Sequence, residues 1–469
     1  MSQNQPRQAI VIGASMAGLL AARVLADHFD RVLVLDRDAL PDTPEYRSGT
    51  PQARHLHLLL ARGEQVLNEL FPGIEAEFAA RGAQRASVTQ DAALYTLGGL
   101  TPRHASDLHT YISARISLEW MVRQRVAQIP NVRFLTEVTV KHLTADDTGQ
   151  TVTGVVVESR GHAEPDTIEA DFVVDASGRG SQARAWLQAL GYDAPAETVI
   201  NGFQGYATRW YRRPVGVKTD LKGIGIQARP TEGNYRSGGF VEIDDERMIV
   251  TLMGANKDYP PTDEAEFLEY ARTLATPFLY DLIKDAEPLS PIYGYRRTEN
   301  RFVHYEQMTR RPEAFVVMGD AACAFNPTYG QGMTVAALEA LELQAVLRAH
   351  GADQLDGVAA EFQTRLAKVA QGAWLLATGE DMSFPETVGG RPTLPMRVAQ
   401  LYIRHLLTVG AQDEAISYAF MRVMQLVDQP AALFRPQIVL RVLLRTVVRP
   451  QPLPEPTLEA AQTQTAQAV

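Results

Sequence analysis

Two glycine-rich turns, far apart in the chain, carry residues suited to holding a charged, extended ligand. The stretch "VIGASMAG" places Gly13 and Gly18 at the first and third glycine positions of a G-x-G-x-x-G pattern, with Ser15 in place of the middle glycine. It follows an apolar run at residues 9–12 and opens an Ala/Leu-rich helical run at 16–26. Gly13 permits a tight turn, Gly18 lets helix and strand pack closely, and the free N–H groups around Met16 and Ala17 suit a pyrophosphate. Ser15 is small enough for close backbone approach and adds a hydroxyl donor. Asp36, followed by Arg37, closes the next apolar strand at 32–35. An acid about 20 residues past the glycines is what the ribose hydroxyls of a dinucleotide require. The bland alternative is an ordinary strand–helix turn in an α/β protein.

The second turn is "GDAACAFNPTYGQGM" at residues 319–333. A strand-like run at 315–318 ends in Gly319-Asp320, and Pro327, Gly330, Gln331 and Gly332 lead into a helical run that starts at Met333. An acid at a strand end can bond the hydroxyls of a polyol, and glycine at a helix start removes Cβ atoms that would hold a flat ring away. Between the two turns lies "DASGRGS" at 175–181, again at a buried strand's end, with Asp175 and Gly178 in it. A plain nicotinamide dehydrogenase would continue with more alternating strands and helices after its first turn. This chain inserts a β-rich stretch and supplies a distant second anchor. One extended FAD, with its adenine end on the first turn and its ribityl and flavin on the second, asks for that arrangement.

The elements that must position these turns follow from periodicity. Residues 55–70 read as an amphipathic helix ended by Phe71-Pro72-Gly73, and residues 117–128 as another, stopped by Pro130. Runs at 132–135, 138–143, 151–158 and 167–171 alternate with period 2, as in a small antiparallel meander. Residues 172–175 form a further buried strand. The predicted fold class is α/β with an α+β second domain: a Rossmann-like FAD-binding domain with a β-meander, a β-sheet substrate domain and C-terminal helices. FAD-binding segments are expected at 1–80, 111–190 and 301–350, substrate-domain segments at 81–110 and 191–300, a helical region at 351–448 and a disordered tail at 449–469.

Bulk properties narrow the function. The chain has 469 residues, 45% hydrophobic and 21% charged, with a formal net charge of -10. That balance argues against nucleic acid as a partner, since phosphate binding needs a basic face. Its single cysteine, Cys323, excludes an internal disulfide and a cysteine metal cluster. His55 and His57, two apart, make a poor metal pair, and no metal site is predicted. With no signal peptide and no long apolar run, a cytoplasmic protein without a stable membrane anchor is expected.

The three turn motifs, in this order, resemble the FAD-dependent aromatic-hydroxylase and epoxidase superfamily, the para-hydroxybenzoate-hydroxylase-like fold. "RSGTPQARHLHLLLARG" (47–63), "LFPG" (70–73), "DASGRGS" (175–181), "GYATRWYRRP" (205–214) and "FNPTYGQGM" (325–333) are similar to the branch holding the polyether epoxidases of monensin and lasalocid biosynthesis. The resemblance implies FAD contacts from Arg54, from Arg115 and from the backbone of Val138. It makes His55 a flavin-side partner, with a satisfied structural histidine as the alternative.

The activity implied is a monooxygenase that passes one oxygen atom of O2, through a flavin C4a-hydroperoxide, to a hydrophobic small molecule. Alkene epoxidation needs no catalytic base; phenol hydroxylation, the alternative, is helped by one. No base is assigned, and Tyr329, His109, Asp107 and Tyr111 are only candidates. The pocket is expected between the flavin and the sheet of residues 200–300, with Phe203, Tyr206, Tyr293 and Tyr329 as candidate liners and core packing as the alternative for each. A halogenase would carry WxWxIP and an early lysine, but the tryptophans Trp120, Trp186, Trp210 and Trp374 form no WxW and the first lysine is Lys141. An alkene reductase would carry YxWxFP, also missing. With no second nucleotide fingerprint, electrons come from transiently docked NADPH or from a separate flavin reductase.

Overall fold

The computed structural model describes residues 6–161, 164–214, 219, 221–244, 246–351 and 354–447. The tail at 449–469 lies outside the described residues. Five strands form a central sheet in the order Phe315–Val317, Phe172–Asp175, Gln8–Ile12, Arg31–Leu35, Val132–Leu135, and every neighbouring pair is parallel. The inner strands are apolar on both faces, because helices cover both sides of a parallel sheet. The helices Met16–Leu25 and Gly332–His350 pack against each other over one face.

Register explains how distant turns meet. Ile12 pairs with Asp175, Asp175 with Val317, and Ile12 on its other side with Leu35. The turns after Ile12, Leu35, Asp175 and Val317 therefore leave the sheet at the same C-terminal edge, where open α/β sheets bind ligands.

The expected α/β class is the one observed, with two local corrections. Val132–Leu135 is not a meander strand but the edge strand of the parallel sheet, beside Arg31–Leu35. The antiparallel meander has three strands: Val138–Ala145, Val152–Ser159 and Asp166–Glu169. Period 2 identifies a strand and does not identify its partner. The helix expected from residue 55 begins only at Ala61. Residues 55–60 stay extended because tertiary partners claim them. Thr334 Oγ1 accepts the Leu60 N–H at 3.2 Å, and Gln425 Oε1 accepts the Ala61 N–H at 2.9 Å.

A second sheet of seven strands runs in the order Tyr293–Tyr295, Gly205–Arg212, Arg247–Gly254, Arg236–Glu242, Gly223–Ile226, Ala92–Thr96, Gly99–Leu100. The helices Glu264–Arg272 and Phe278–Ile283 bury Phe267, Phe278 and Leu279 against Phe240 and Leu252. The chain then closes with the helices Val358–Asp381, Leu394–Gly410, Glu414–Met424 and Pro436–Val447. Among the described residues, no helix is long and apolar enough to cross a membrane.

Candidate cofactor and active site

At the nucleotide end, Gly13 takes φ +103°, and a Cβ there would lie 2.6 Å from the Ala176 carbonyl oxygen. A Cβ on Gly18 would lie 1.8 Å from the Gly13 carbonyl oxygen, so the first turn closes only with glycine at both places. Asp36 is buried and accepts the Ala14 N–H at 2.7 Å and the Asp38 N–H at 2.9 Å. Two arginines complete this end. Arg47 Nη1 lies 3.3 Å from Asp36 and 3.2 Å from Asp38, and its Nη2 lies 2.7 Å from Glu119. Arg115 Nη2 lies 2.8 Å from Glu119 and donates to Ser15 Oγ at 3.0 Å, while Ser15 donates to Glu119 at 2.6 Å. Burial alone would raise the Glu119 carboxyl, but Arg115 and Arg47 outweigh it and hold it below its ordinary value. A small crevice opens beside Arg47, Arg115, Glu119 and Arg123.

Arg54, Arg37 and Val138, also expected at the cofactor, meet different surroundings. Arg54 stacks between the rings of Tyr46, at 4.3 Å, and Tyr293, at 4.9 Å. Arg37 is exposed. The Val138 N–H donates to the Asp36 carbonyl at 3.0 Å.

At the flavin end, Asp175 is fully buried and shapes its own turn, accepting the Ser177 N–H at 2.9 Å and the Ser181 hydroxyl at 2.5 Å. Gly178 there has φ +77°. Gly319, at φ +63°, brings the Asp320 turn against the first helix, for a Cβ there would lie 2.7 Å from that of Ala17. Glu339 fixes this turn by accepting the Gly319 N–H at 2.6 Å. Asp320 faces the helix start, its Oδ1 3.6 Å from where a Gly332 Cβ would stand. Arg179 Nε stands 3.9 Å from the Asp320 carboxylate. Pro327 and Gly330 (φ +66°) turn the chain into the helix, where Met333 is buried.

The wall facing this end comes from the second sheet. His55 Nδ1 bonds Thr208 Oγ1 at 2.9 Å, and its ring meets Tyr206 edge-on at 4.6 Å. Tyr206 stacks on Tyr295 at 5.1 Å and feels the charges of Arg179 and Asp320. Burial drives His55 down to about 3, so the imidazole is neutral at any working pH. The Tyr206 hydroxyl is buried with no partner among the described residues. Phe203, at φ +47°, lies under Lys257.

The proposed bases have partners of their own. Asp107 accepts from Tyr418 at 2.6 Å and lies 3.4 Å from Arg422, both on the Glu414–Met424 helix. His109 Nδ1 lies 3.2 Å from the Asp107 carbonyl oxygen, Tyr111 is buried edge-on to Phe78, and Tyr329 donates to Asp381 at 2.7 Å. Cys323 is buried, and burial pushes its thiol far up, away from nucleophilic use.

An FAD fits these residues. Arg115 Nη1 and both amide atoms of Gln331 are buried with no partner among the described residues, at the two ends where a pyrophosphate and a flavin carbonyl would lie. Charged and amide groups are costly to bury unpaired, so a ligand that bonds them is the natural complement. Sequence reasoning missed Arg47, Glu119 and Arg179. Glu119 had a readable signal, standing four residues after Arg115 on one helix. Arg47 opens the 47–63 motif, in which the sequence reading places cofactor contacts only at Arg54 and His55.

A parallel sheet whose turns converge at one edge, with a strand-end acid and buried arginines, defines a dinucleotide-binding flavoprotein fold. Residues 7–371 match the FAD binding domain family, and the chain belongs to that family. It is 32% identical over 435 residues to protein Rv3254 of Mycobacterium tuberculosis, covering 91% of this chain and 90% of that protein. Among solved structures, the flavin-dependent brominase Bmp2 superposes with TM-score 0.64 at 15% identity, covering 94% of this chain and 99% of Bmp2. The flavin-dependent halogenase CmlS gives 0.63 at 18% identity, covering 95% and 78%. PqsL of Pseudomonas aeruginosa, a probable FAD-dependent monooxygenase, gives 0.61 at 16% identity, covering 81% and 97%. At these identities the structures share the fold.

Proposed function

We propose that this FAD-binding chain is a monooxygenase that transfers one oxygen atom from O2 to an apolar small molecule, with alkene epoxidation as the favoured reaction. The observation that carries the reading is the aromatic wall of Tyr206, Tyr295 and His55, set against the charged pair Asp320 and Arg179 at the flavin end. Reduced FAD would supply the oxygen chemistry; the protein orients it and keeps the site dry. Asp320, Gln331 and the helix start at Gly332 would hold the ribityl and flavin, while Arg115 would hold the pyrophosphate. The wall offers an apolar surface and a neutral imidazole rather than a proton-abstracting carboxylate, which suits an electron-rich double bond. Phenol hydroxylation is the second reading, and the engaged state of Asp107 counts against it. Halogenation is disfavoured because Lys141, the first lysine, sits in the meander paired with Glu158.

The test is anaerobic addition of NADPH to the FAD-loaded chain, following the visible flavin band, and then air with a panel of alkenes and phenols. Bleaching by NADPH, with epoxide formed on reoxidation, supports the reading. A yellow chain that only a separate flavin reductase can bleach keeps the reaction and changes the electron donor. A chain that takes up no FAD, or one that oxygenates nothing with either donor, overturns it.

A further inference from the structure

One carboxylate joins three parts of the molecule. Asp381 ends the Val358–Asp381 helix and is 0% exposed. Its Oδ1 accepts from Gln204 Nε2 at 2.6 Å, from the Tyr329 hydroxyl at 2.7 Å and from Asn326 Nδ2 at 3.3 Å. Its Oδ2 accepts from Asn300 Nδ2 at 2.6 Å and from Asn326 Nδ2 at 3.4 Å. Gln204 leads into the Gly205–Arg212 strand of the seven-stranded sheet, next to Tyr206. Asn300 opens the Asn300–Val303 strand. Asn326 and Tyr329 bracket the turn that delivers Gln331 and the helix start to the flavin end.

The orientation of each amide is fixed by a second bond. Gln204 Oε1 accepts from Thr328 Oγ1 at 3.2 Å, Asn300 Oδ1 accepts the Asn326 N–H at 2.8 Å, and Asn326 Oδ1 accepts the Thr328 N–H at 3.1 Å. Every group turned toward Asp381 is therefore a donor. An ionised carboxylate, which only accepts, completes this set, whereas a neutral amide in its place would set N–H against N–H. Burial pushes the Asp381 carboxyl up to about 6, and the bonds from Tyr329, Asn326 and Asn300 pull the other way, so it is ionised at neutral pH. The sheet also comes close: a Cβ on Gly202 would stand 3.3 Å from the Asp381 Cβ.

We infer that Asp381 is a positioning residue that locks the turn at 327–330 to the substrate sheet, holding Gln331 and its helix start in register with the Tyr206 wall. The flavin side of this inference rests on the reading above, but the lock itself is a property of the folded chain.

The experiment uses the full chain with Asp381→Asn, which keeps the volume and reverses the polarity of one atom, and Tyr329→Phe, which removes a single bond. Amide hydrogen exchange is followed with and without added FAD. In D381N, residues 326–332 and 202–205 are expected to exchange at least ~10-fold faster, with residues 10–18 unchanged. Y329F should shift the same segments by less. With FAD, D381N should also bind the cofactor more weakly while the spectrum of wild-type loading is normal. Equal acceleration at 10–18 would mean only general destabilisation, and unchanged exchange at 326–332 would mean no lock; either overturns the inference. If the wild-type chain takes up no FAD, the reading of function fails, and the exchange data still decide the lock.

Discussion

Arg47 Nη1 stands 3.3 Å from the carboxylate of Asp36, the strand-end acid of the nucleotide fingerprint, and both side chains are under a tenth exposed. The same guanidinium serves Asp38 and Glu119, so one cation holds three buried acids beside the place where a pyrophosphate would lie. Arg47→Met removes the ion-pair partner of Asp36 and Asp38 and leaves Glu119 paired with Arg115. Loss of one partner from a buried ion network costs about 3–5 kcal/mol. The expected outcome is a loss of stability of that order in denaturant titration, together with FAD binding weakened at least ~10-fold by fluorescence titration. Unchanged FAD affinity would make Arg47 a purely structural partner of the acids.

Gly13→Ala tests the first turn. The added Cβ meets a backbone oxygen at 2.6 Å in a conformation of φ +103° that L residues rarely adopt. Strain of this kind costs on the order of 1–3 kcal/mol. The variant should lose stability by that amount and come through purification colourless after FAD loading. Gly180→Ala, with nothing within 4 Å of its Cβ, is the control and should bind FAD as wild type does.

Glu339 predicts a pH slope. Burial raises its carboxyl from 4.5 to about 8, the neighbouring Asp320 adds to this, and only the Gly319 N–H opposes it. Between about 4.5 and 8 the folded chain therefore holds a proton that the unfolded chain has released. This group's contribution is fully present below 4.5 and is lost as pH rises toward about 8, by up to ~1.4 kcal/mol per pH unit. Glu339→Gln, which imitates the neutral form, should flatten the fall in denaturant midpoint measured from pH 5 to 8. An identical slope in wild type and variant would show that Glu339 is ionised in the fold.

Cys323 should be silent. Its thiol is buried and raised by that burial, with Glu339 and Asp320 adding to the effect. A thiol reagent should label almost none of the native chain and about one thiol per chain after unfolding. Fast labelling of the native chain would show that the strand pair Cys323–Ala324 and Asn300–Val303 opens readily.

The parts of the site readable from sequence were those whose chemistry is local. Gly13 and Gly18 declare themselves because a tight turn and a close helix each demand glycine at one spacing, and Asp36 because it closes the strand that follows. The Gly319–Asp320 turn is legible for the same reason. What joins these turns is not local: the Ile12–Asp175–Val317 register depends on strand pairing that no window of sequence contains. Residues 55–60 show the same limit, since their helical periodicity yields to bonds from Thr334 and Gln425. Asp381 was invisible because Gln204, its partner in the substrate sheet, lies 177 residues away. An isolated aspartate at a helix end reads as a solvated charge until the fold supplies its donors.

The strand order of the parallel sheet also constrains how the protein is made. Gln8–Ile12 emerges first from the ribosome and finds Arg31–Leu35 soon after, but its other edge waits for Phe172–Asp175, which in turn waits for Phe315–Val317. About 300 residues of synthesis separate the first and last of these, roughly 15–60 s at 5–20 residues per second. Throughout that interval the nascent chain carries an apolar, unpaired parallel edge, the kind of surface that pairs wrongly with other chains. Cofactor capture is thus a late event in synthesis, and the yield of soluble chain should depend on chaperones that shield the open sheet edge until Phe315–Val317 arrives.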